Sequence, residues 1–146
     1  MILFCDEDIG TNIPKALHLV GYQAKSINMQ GWRSKPDTEW LTDVGTRGWL
    51  AFSSNKRMLQ VHDERETIIR EKVGIVFLSN GEEHLHKVLW LLLVKWAWLE
   101  KIDIEIPRPF AFVISPKGRI KRETLELPEG QQQFSPSVMN TKEDSV

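Results

Sequence analysis

The strongest constraint in this chain is a recurring order: a short apolar run, a polar cluster where it stops, then a stretch with helical spacing. Residues 2–5 are apolar without alternation, as in a strand covered on both faces, and they end in Asp6, Glu7 and Asp8. Thr11 or Asn12 then stands where a helix cap belongs, Pro14 suits a first turn, and Ile13, Ala16, Leu17 and Val20 recur at helical spacing until Gly21. Residues 22–27 form a weaker second run, followed by a polar loop with Gly31, Trp32 and Pro36. Asp37 is expected to cap a helix with Trp40, Leu41 and Val44 on one side, which Gly45 or Gly48 stops. The third run, residues 49–52, ends in Ser53, Ser54 and Asn55. A polar helical stretch over 61–72 leads to residues 74–78, the most β-like segment, which closes with Ser79, Asn80 and Gly81. Glu82 and Glu83 are expected in the first turn of a helix running to about Lys101, where negative charge suits the dipole. Pro107 and Pro109 end it, and residues 110–115 and 119–122 read as a hairpin.

Such alternation implies an α/β fold with a doubly wound, mainly parallel sheet and a C-terminal hairpin, whose ligands bind outside the carboxyl ends of the strands. The chain has 146 residues, 41% of them hydrophobic and 27% charged, which suits one domain with a real core. Residues 1–122 are assigned to that domain. Residues 123–146, poor in apolar side chains and without a period, are expected to be a disordered tail. Lys and Arg number 19 against 20 Asp and Glu, so the formal net charge is −1 and no global basic field draws in nucleic acid. A single cysteine, Cys5, cannot form an internal disulfide, and the N-terminal residues lack the pattern of a signal peptide, which points to a cytoplasmic protein. The most apolar stretch, residues 88–99, is interrupted by Lys95 and is too short to span a bilayer.

Asp6 and Asp8 follow a strand directly, and two carboxylates in such a turn can converge on a hard divalent cation, Mg2+ or Mn2+. The same residues also suit a plainer reading, with Asp8 capping the next helix and Asp6 satisfying loop amides. Asp37 and Glu39 have a similar pair of readings, as a helix cap with a first-turn acid or as further metal ligands. His84 and His86, two apart on an expected helix, should point to different faces, and His18 and His62 show no partner pattern. Neither a nucleophile elbow nor a glycine-rich phosphate loop is present. Trp90, Trp96 and Trp98 read as core or as an oligomer face, compatible with a homodimer. Lys56 and Arg57 follow the polar end of the third run and could hold an RNA phosphate.

Several stretches, in order, resemble the PIN-like domains of VapC-type toxin ribonucleases. They are Cys5-Asp6-Glu7-Asp8-Ile9-Gly10 with Ile13-Pro14-Lys15-Ala16-Leu17, then Asp37-Thr38-Glu39-Trp40-Leu41 with Val44-Gly45-Thr46-Arg47-Gly48-Trp49, and Arg108-Pro109-Phe110-Ala111 leading to Lys117-Gly118-Arg119. The resemblance spans roughly residues 1–122. It implies a PIN-like fold, a metal-dependent ribonuclease site and a toxin paired with an antitoxin protein. Asp6 matches the family's first-strand acid, and Asp37 with Glu39 matches its acidic pair before the second helix. Ser53, Ser54 and Asn55 depart from the family's Thr-x-Asp, so the neutral Asn55 removes one charge that would hold a cation against its hydration shell. In the active form of this reading Asp6 with Asp37 or Glu39 holds the metal, and Ser53 and Asn55 orient water or phosphate. Two alternatives stand beside it. One is an inactive PIN-like module that binds RNA or a partner. The other is a haloacid-dehalogenase-type phosphatase, suggested by Asp6-Glu7-Asp8 but opposed by Gly10 and by the lack of an acidic pair at the end of the later strand, Leu78-Ser79-Asn80. A receiver domain is opposed in the same way by the absence of an acid at 53–55.

Overall fold

In the computed structural model the residues described are 1–81 and 83–125. Along the chain they form β1 (Leu3–Cys5), α1 (Asn12–Leu19), β2 (Ala24–Ser26), α2 (Asp37–Arg47), β3 (Leu50–Ser53), α3 (His62–Arg70), β4 (Gly74–Leu78), α4 (Leu85–Glu105), β5 (Phe110–Ile114) and β6 (Ile120–Glu123). Short 3-10 turns at Glu7–Ile9 and Lys56–Gln60 follow β1 and β3. The six strands make one sheet in the order β2-β1-β3-β4-β5-β6, parallel throughout except for β6, which returns antiparallel to β5. This is the α/β fold with a C-terminal hairpin expected from the alternation of runs.

Both faces of the sheet are covered, which explains why the strands read as continuous apolar runs. Leu3, Cys5, Leu50, Phe52, Val76 and Leu78 point into a core shared with α1 and α4. Their strand neighbours Phe4, Ala51, Ile75 and Phe77 point the other way, against Trp40, Leu41 and Val44 of α2 and Ile68 of α3. The period of two along each strand therefore sends alternate residues to separate cores.

Several boundaries differ from expectation for identifiable reasons. Asp37 is the first residue of α2 and not its cap; Pro36 holds the cap position with extended backbone. Gly48 ends α2 in the left-handed region at φ 70°, whereas Gly45 lies within the helix. A Cβ on Gly45 would stand 2.4 Å from the carbonyl oxygen of Glu71, so this glycine lets α2 approach the α3–β4 turn. Helix α4 starts at Leu85 rather than at Glu82 or Glu83, with His84 as its cap, and it continues to Glu105. His84 therefore precedes the helix, and its ring stacks on that of His86 at 5.9 Å instead of facing away from it. Trp96 is buried and Trp98 packs edge-on against Phe112, while Trp90 is 60% exposed.

Glu123, assigned from sequence to the tail, is the last residue of β6, and Leu125 packs against the α2–α3 side of the core. Arg65 holds this segment by donating to the carbonyl oxygens of Leu59 and Thr124 at 2.8 and 2.9 Å. The remainder of the expected tail, 126–146, lies outside the described residues, as does Glu82. Among the described residues no helix is long and apolar enough to cross a membrane.

Candidate active site

The chain leaves β1 for β2 on one side and then crosses back to β3 on the other, so a crevice opens between the carboxyl ends of β1 and β3. The loops after these two strands meet there. Asp6 is held by its backbone, whose N–H donates to the carbonyl of Phe52 at 2.9 Å, extending the β1–β3 ladder by one residue. Its side chain caps the 3-10 turn by accepting from the Glu7 N–H at 2.6 Å, and its other oxygen accepts from the Ser53 hydroxyl at 2.9 Å. Asp8 does not cap α1. Its carboxylate accepts from the backbone N–H and the hydroxyl of Ser54, at 3.1 and 2.8 Å, across the crevice. Ser53 in turn accepts from the Asn55 N–H at 2.9 Å. The Ser-Ser-Asn sequence thus serves as a bracket that fixes the two aspartates.

Asp37 joins them from the start of α2. The buried Trp40 indole donates to its carboxylate at 2.8 Å, one helical turn on, which aims Asp37 toward the crevice. Asp6, Glu7, Asp8, Asp37, Ser54 and Asn55 together line a cleft of about 480 Å³. Glu39 is not among them. Two residues along a helix is more than half a turn, and Glu39 instead lines a separate cavity of about 420 Å³ with Lys35, Thr38, Asp43 and Arg70. Lys56 is turned to Glu123, with which it pairs at 3.2 Å, and Arg57 is exposed and makes no ion pair among the described residues.

Glu64, which sequence reasoning did not single out, stands beside the cleft, lining an adjoining cavity of about 260 Å³ with Asp37 and Asp63. It sits in the first turn of α3 and its carboxyl hydrogen-bonds that of Asp37. Partial burial, the hydrogen bond with Asp37 and the charges of Asp37, Asp6 and Asp63 push the Glu64 carboxyl up to about 7. Asp6, 7% exposed, is also raised to about 7, first by burial and then by the charge of Asp8, against the lowering effect of the Ser53 and Glu7 hydrogen bonds. Burial, with Asp6 and Asp8 nearby, raises the Cys5 thiol as well and leaves it inert. The available signal for Glu64 was its place at the start of the helix after β3, but a first-turn acid is common for dipole reasons alone.

The donor set is entirely oxygen, and burial, with the neighbouring negative charges, raises two of its carboxyls to about 7. A hard divalent cation such as Mg2+ or Mn2+ fits both features. On α3, His62, Asp63 and Glu66 also bring ligand atoms within 4.8 Å of one another, but His62 already pairs with Glu66 at 3.2 Å and the group faces solvent. His62 therefore has an i, i+4 partner that was not recognised in the sequence.

The chain is thus an α/β protein with an open, doubly wound sheet and carboxylates gathered at its switch point. A family model described as PIN like domain matches residues 1–80, more than half the chain, and the protein belongs to the PIN-like domain family. The match covers β1 to β4 and so includes Asp6, Asp8, Asp37 and Glu64. PIN-like domains are typically nucleases and usually use divalent metals, and the match does not reach a toxin subdivision. No curated protein and no solved structure matches the chain.

Proposed function

We propose that the protein is a metal-dependent ribonuclease acting by phosphodiester hydrolysis. The observation that carries this reading is the convergence of Asp6, Asp8 and Asp37 on one cleft, with Glu64 bonded to Asp37 behind it. Asp6, Asp8 and Asp37 would hold Mg2+ or Mn2+. When bound, the cation supplies charge neutralisation at the phosphate and lowers the cost of deprotonating water. The Asp37–Glu64 pair, with a carboxyl near 7, can take up the proton lost by an attacking water at neutral pH. Ser54 and the Asn55 side chain, on the opposite wall, can orient that water or a phosphate oxygen. Arg57 and Lys56, just beyond Asn55, would meet the next phosphate of the strand. A role as the toxin of a toxin–antitoxin pair is supported by resemblance to VapC-type proteins alone.

The test is cleavage of structured RNA with Mn2+ or Mg2+, beside a phosphomonoester. RNA should be cut and the monoester left intact, and Asp6→Asn should abolish cutting. Glu64→Gln should lower metal affinity by about 10–100-fold, as expected for a residue acting through a ligand, and should shift the pH profile of the remaining activity. Hydrolysis of the monoester alone would favour the phosphatase. Metal and RNA binding without turnover would favour a binding module, a reading that the neutral Asn55 in the cleft wall supports.

A further inference from the structure

We infer that a second, cationic surface, built around Trp32 and Trp49 at the end of α2 away from the cleft, binds the RNA strand beyond the scissile phosphate. This rests on the proposed ribonuclease reading. The loop between β2 and α2 folds Trp32 onto Phe4 and beside Trp49, with ring centroids 5.4 and 6.2 Å apart. Basic side chains lie over these indoles. Arg47 stands 5.5 Å from the Trp32 ring and 5.1 Å from the Trp49 ring, Lys35 stands 4.5 Å from Trp32, and Lys25 stands 5.9 Å from Trp49.

Lys35 is paired with Asp43. Lys25, Arg33 and Arg47 make no ion pair among the described residues, and Arg33 and Arg47 are exposed. In a chain of net charge −1 with an acidic cleft, Lys25 and Arg47 over the two indoles, with Arg33 next to Trp32 in the sequence, form a local positive patch. A cation resting on a ring keeps its outward N–H groups available while its stem is already ordered, so capturing a phosphate costs less side-chain entropy. Arginine suits this role best, because its planar fork both stacks and donates.

Continuity with the cleft favours RNA over an acidic protein as the occupant. Helix α2 begins at Asp37 in the cleft wall and ends at Arg47, a distance of about 15 Å at helical rise. Lys35 covers Trp32 and lines the intervening cavity with Glu39, Asp43 and Arg70, so two cations there face two acids. A polyanion leaving the cleft on this side would pass that cavity, where Lys35 and Arg70 offset Glu39 and Asp43, and then meet the Trp32–Trp49 surface.

The test is fluorescence anisotropy with a labelled single-stranded oligoribonucleotide on the full chain carrying Asp6→Asn, which prevents cutting. Lys25→Met with Arg47→Met keeps the apolar stems over the indoles and removes the charges. Kd should rise about tenfold, and the slope of log Kd against log salt should fall by about 1.4, the value for two lost single-strand phosphate contacts. Arg33→Gln, an exposed loop change with little folding risk, should lower the slope by about half as much. Unchanged affinity and slope in all variants overturns the inference. So does preferential binding of polyglutamate, which would indicate an acidic protein. Cleavage of RNA by the unaltered chain reads the nuclease assignment separately: binding through this surface without cleavage leaves the inference standing and removes the nuclease, and cleavage with patch-independent binding does the reverse.

Discussion

The Ser53 hydroxyl donates to the Asp6 carboxylate across 2.9 Å, joining the end of β3 to the end of β1 through two buried groups. Ser53→Ala should therefore do two things. Removing the hydroxyl leaves one oxygen of a buried carboxylate without this partner and should cost about 1–3 kcal/mol of stability. It also removes an interaction that lowers the Asp6 pKa, so metal binding at neutral pH should weaken. Urea denaturation and calorimetric titration with Mn2+ measure the two effects. An unchanged metal affinity would show that Asp6 is not a ligand.

Asp6 also sets a pH dependence whose sign follows from its raised pKa. The carboxyl moves from an ordinary value of 3.8 to about 7 on folding, so the folded chain holds a proton that the unfolded chain has released. Its contribution to stability is present in full below about 3.8 and is lost as pH rises through about 7, by about 4 kcal/mol at most. Glu64 acts with the same sign. Without metal, Asp6→Asn should flatten this fall and be more stable than the unaltered chain near neutrality. Denaturation at about pH 5 and about pH 8 tests this, and equal slopes for the two proteins would refute it.

How much of this was legible in the sequence depends on what kind of interaction fixed each feature. The strands were readable because both sheet faces are covered, and β4 falls on the segment read as most β-like. Asp6, Asp8 and Asp37 were readable as candidates because they stand at strand and helix ends. Glu39 was not separable from Asp37 by residue type; only helix phase, with the Trp40 indole fixing Asp37, sends one to the cleft and the other to a different cavity. Glu64 was hidden because its importance arises from a tertiary contact with Asp37, 27 residues earlier in the chain. The cationic surface was hidden for the same reason, since Lys25, Arg47 and the two indoles are brought together only by the fold.

Gly45 and Gly48 give a separate test of helix packing. Both were candidate stops for α2, but only Gly48 has positive φ. Gly48→Ala should cost about 1 kcal/mol through backbone strain. Gly45→Ala places a methyl against the rigid carbonyl of Glu71 and should cost more, about 1–3 kcal/mol, by forcing α2 away from the α3–β4 turn. Thermal melts of both variants compare them directly. A stabilised Gly45→Ala, the usual result inside an exposed helix, would show that α2 does not approach Glu71 so closely.

Asn55 lines the same cleft as Asp6, Asp8 and Asp37, and it stands where the resemblance noted in the sequence implies an acid. Its backbone N–H already donates to Ser53 and its carbonyl accepts from Met58, so Asn55→Asp changes the side chain without disturbing these contacts. A fourth carboxylate beside the three adds an anionic oxygen for a tightly hydrated cation, and metal affinity should rise. In the absence of metal the same charge repels its neighbours, so it should raise Asp6 further and lower stability near neutral pH. The two effects have opposite signs and can be read together. With Mn2+ the variant's melting temperature should increase more than that of the unaltered chain, because at a given concentration a tighter ligand stabilises the folded state more. Asp6→Asn should show no metal-dependent increase. If Asn55→Asp gains nothing from Mn2+ while its metal-free form is as stable as the parent, the Asn55 side chain does not face the carboxylates and the loss of its charge does not weaken the site.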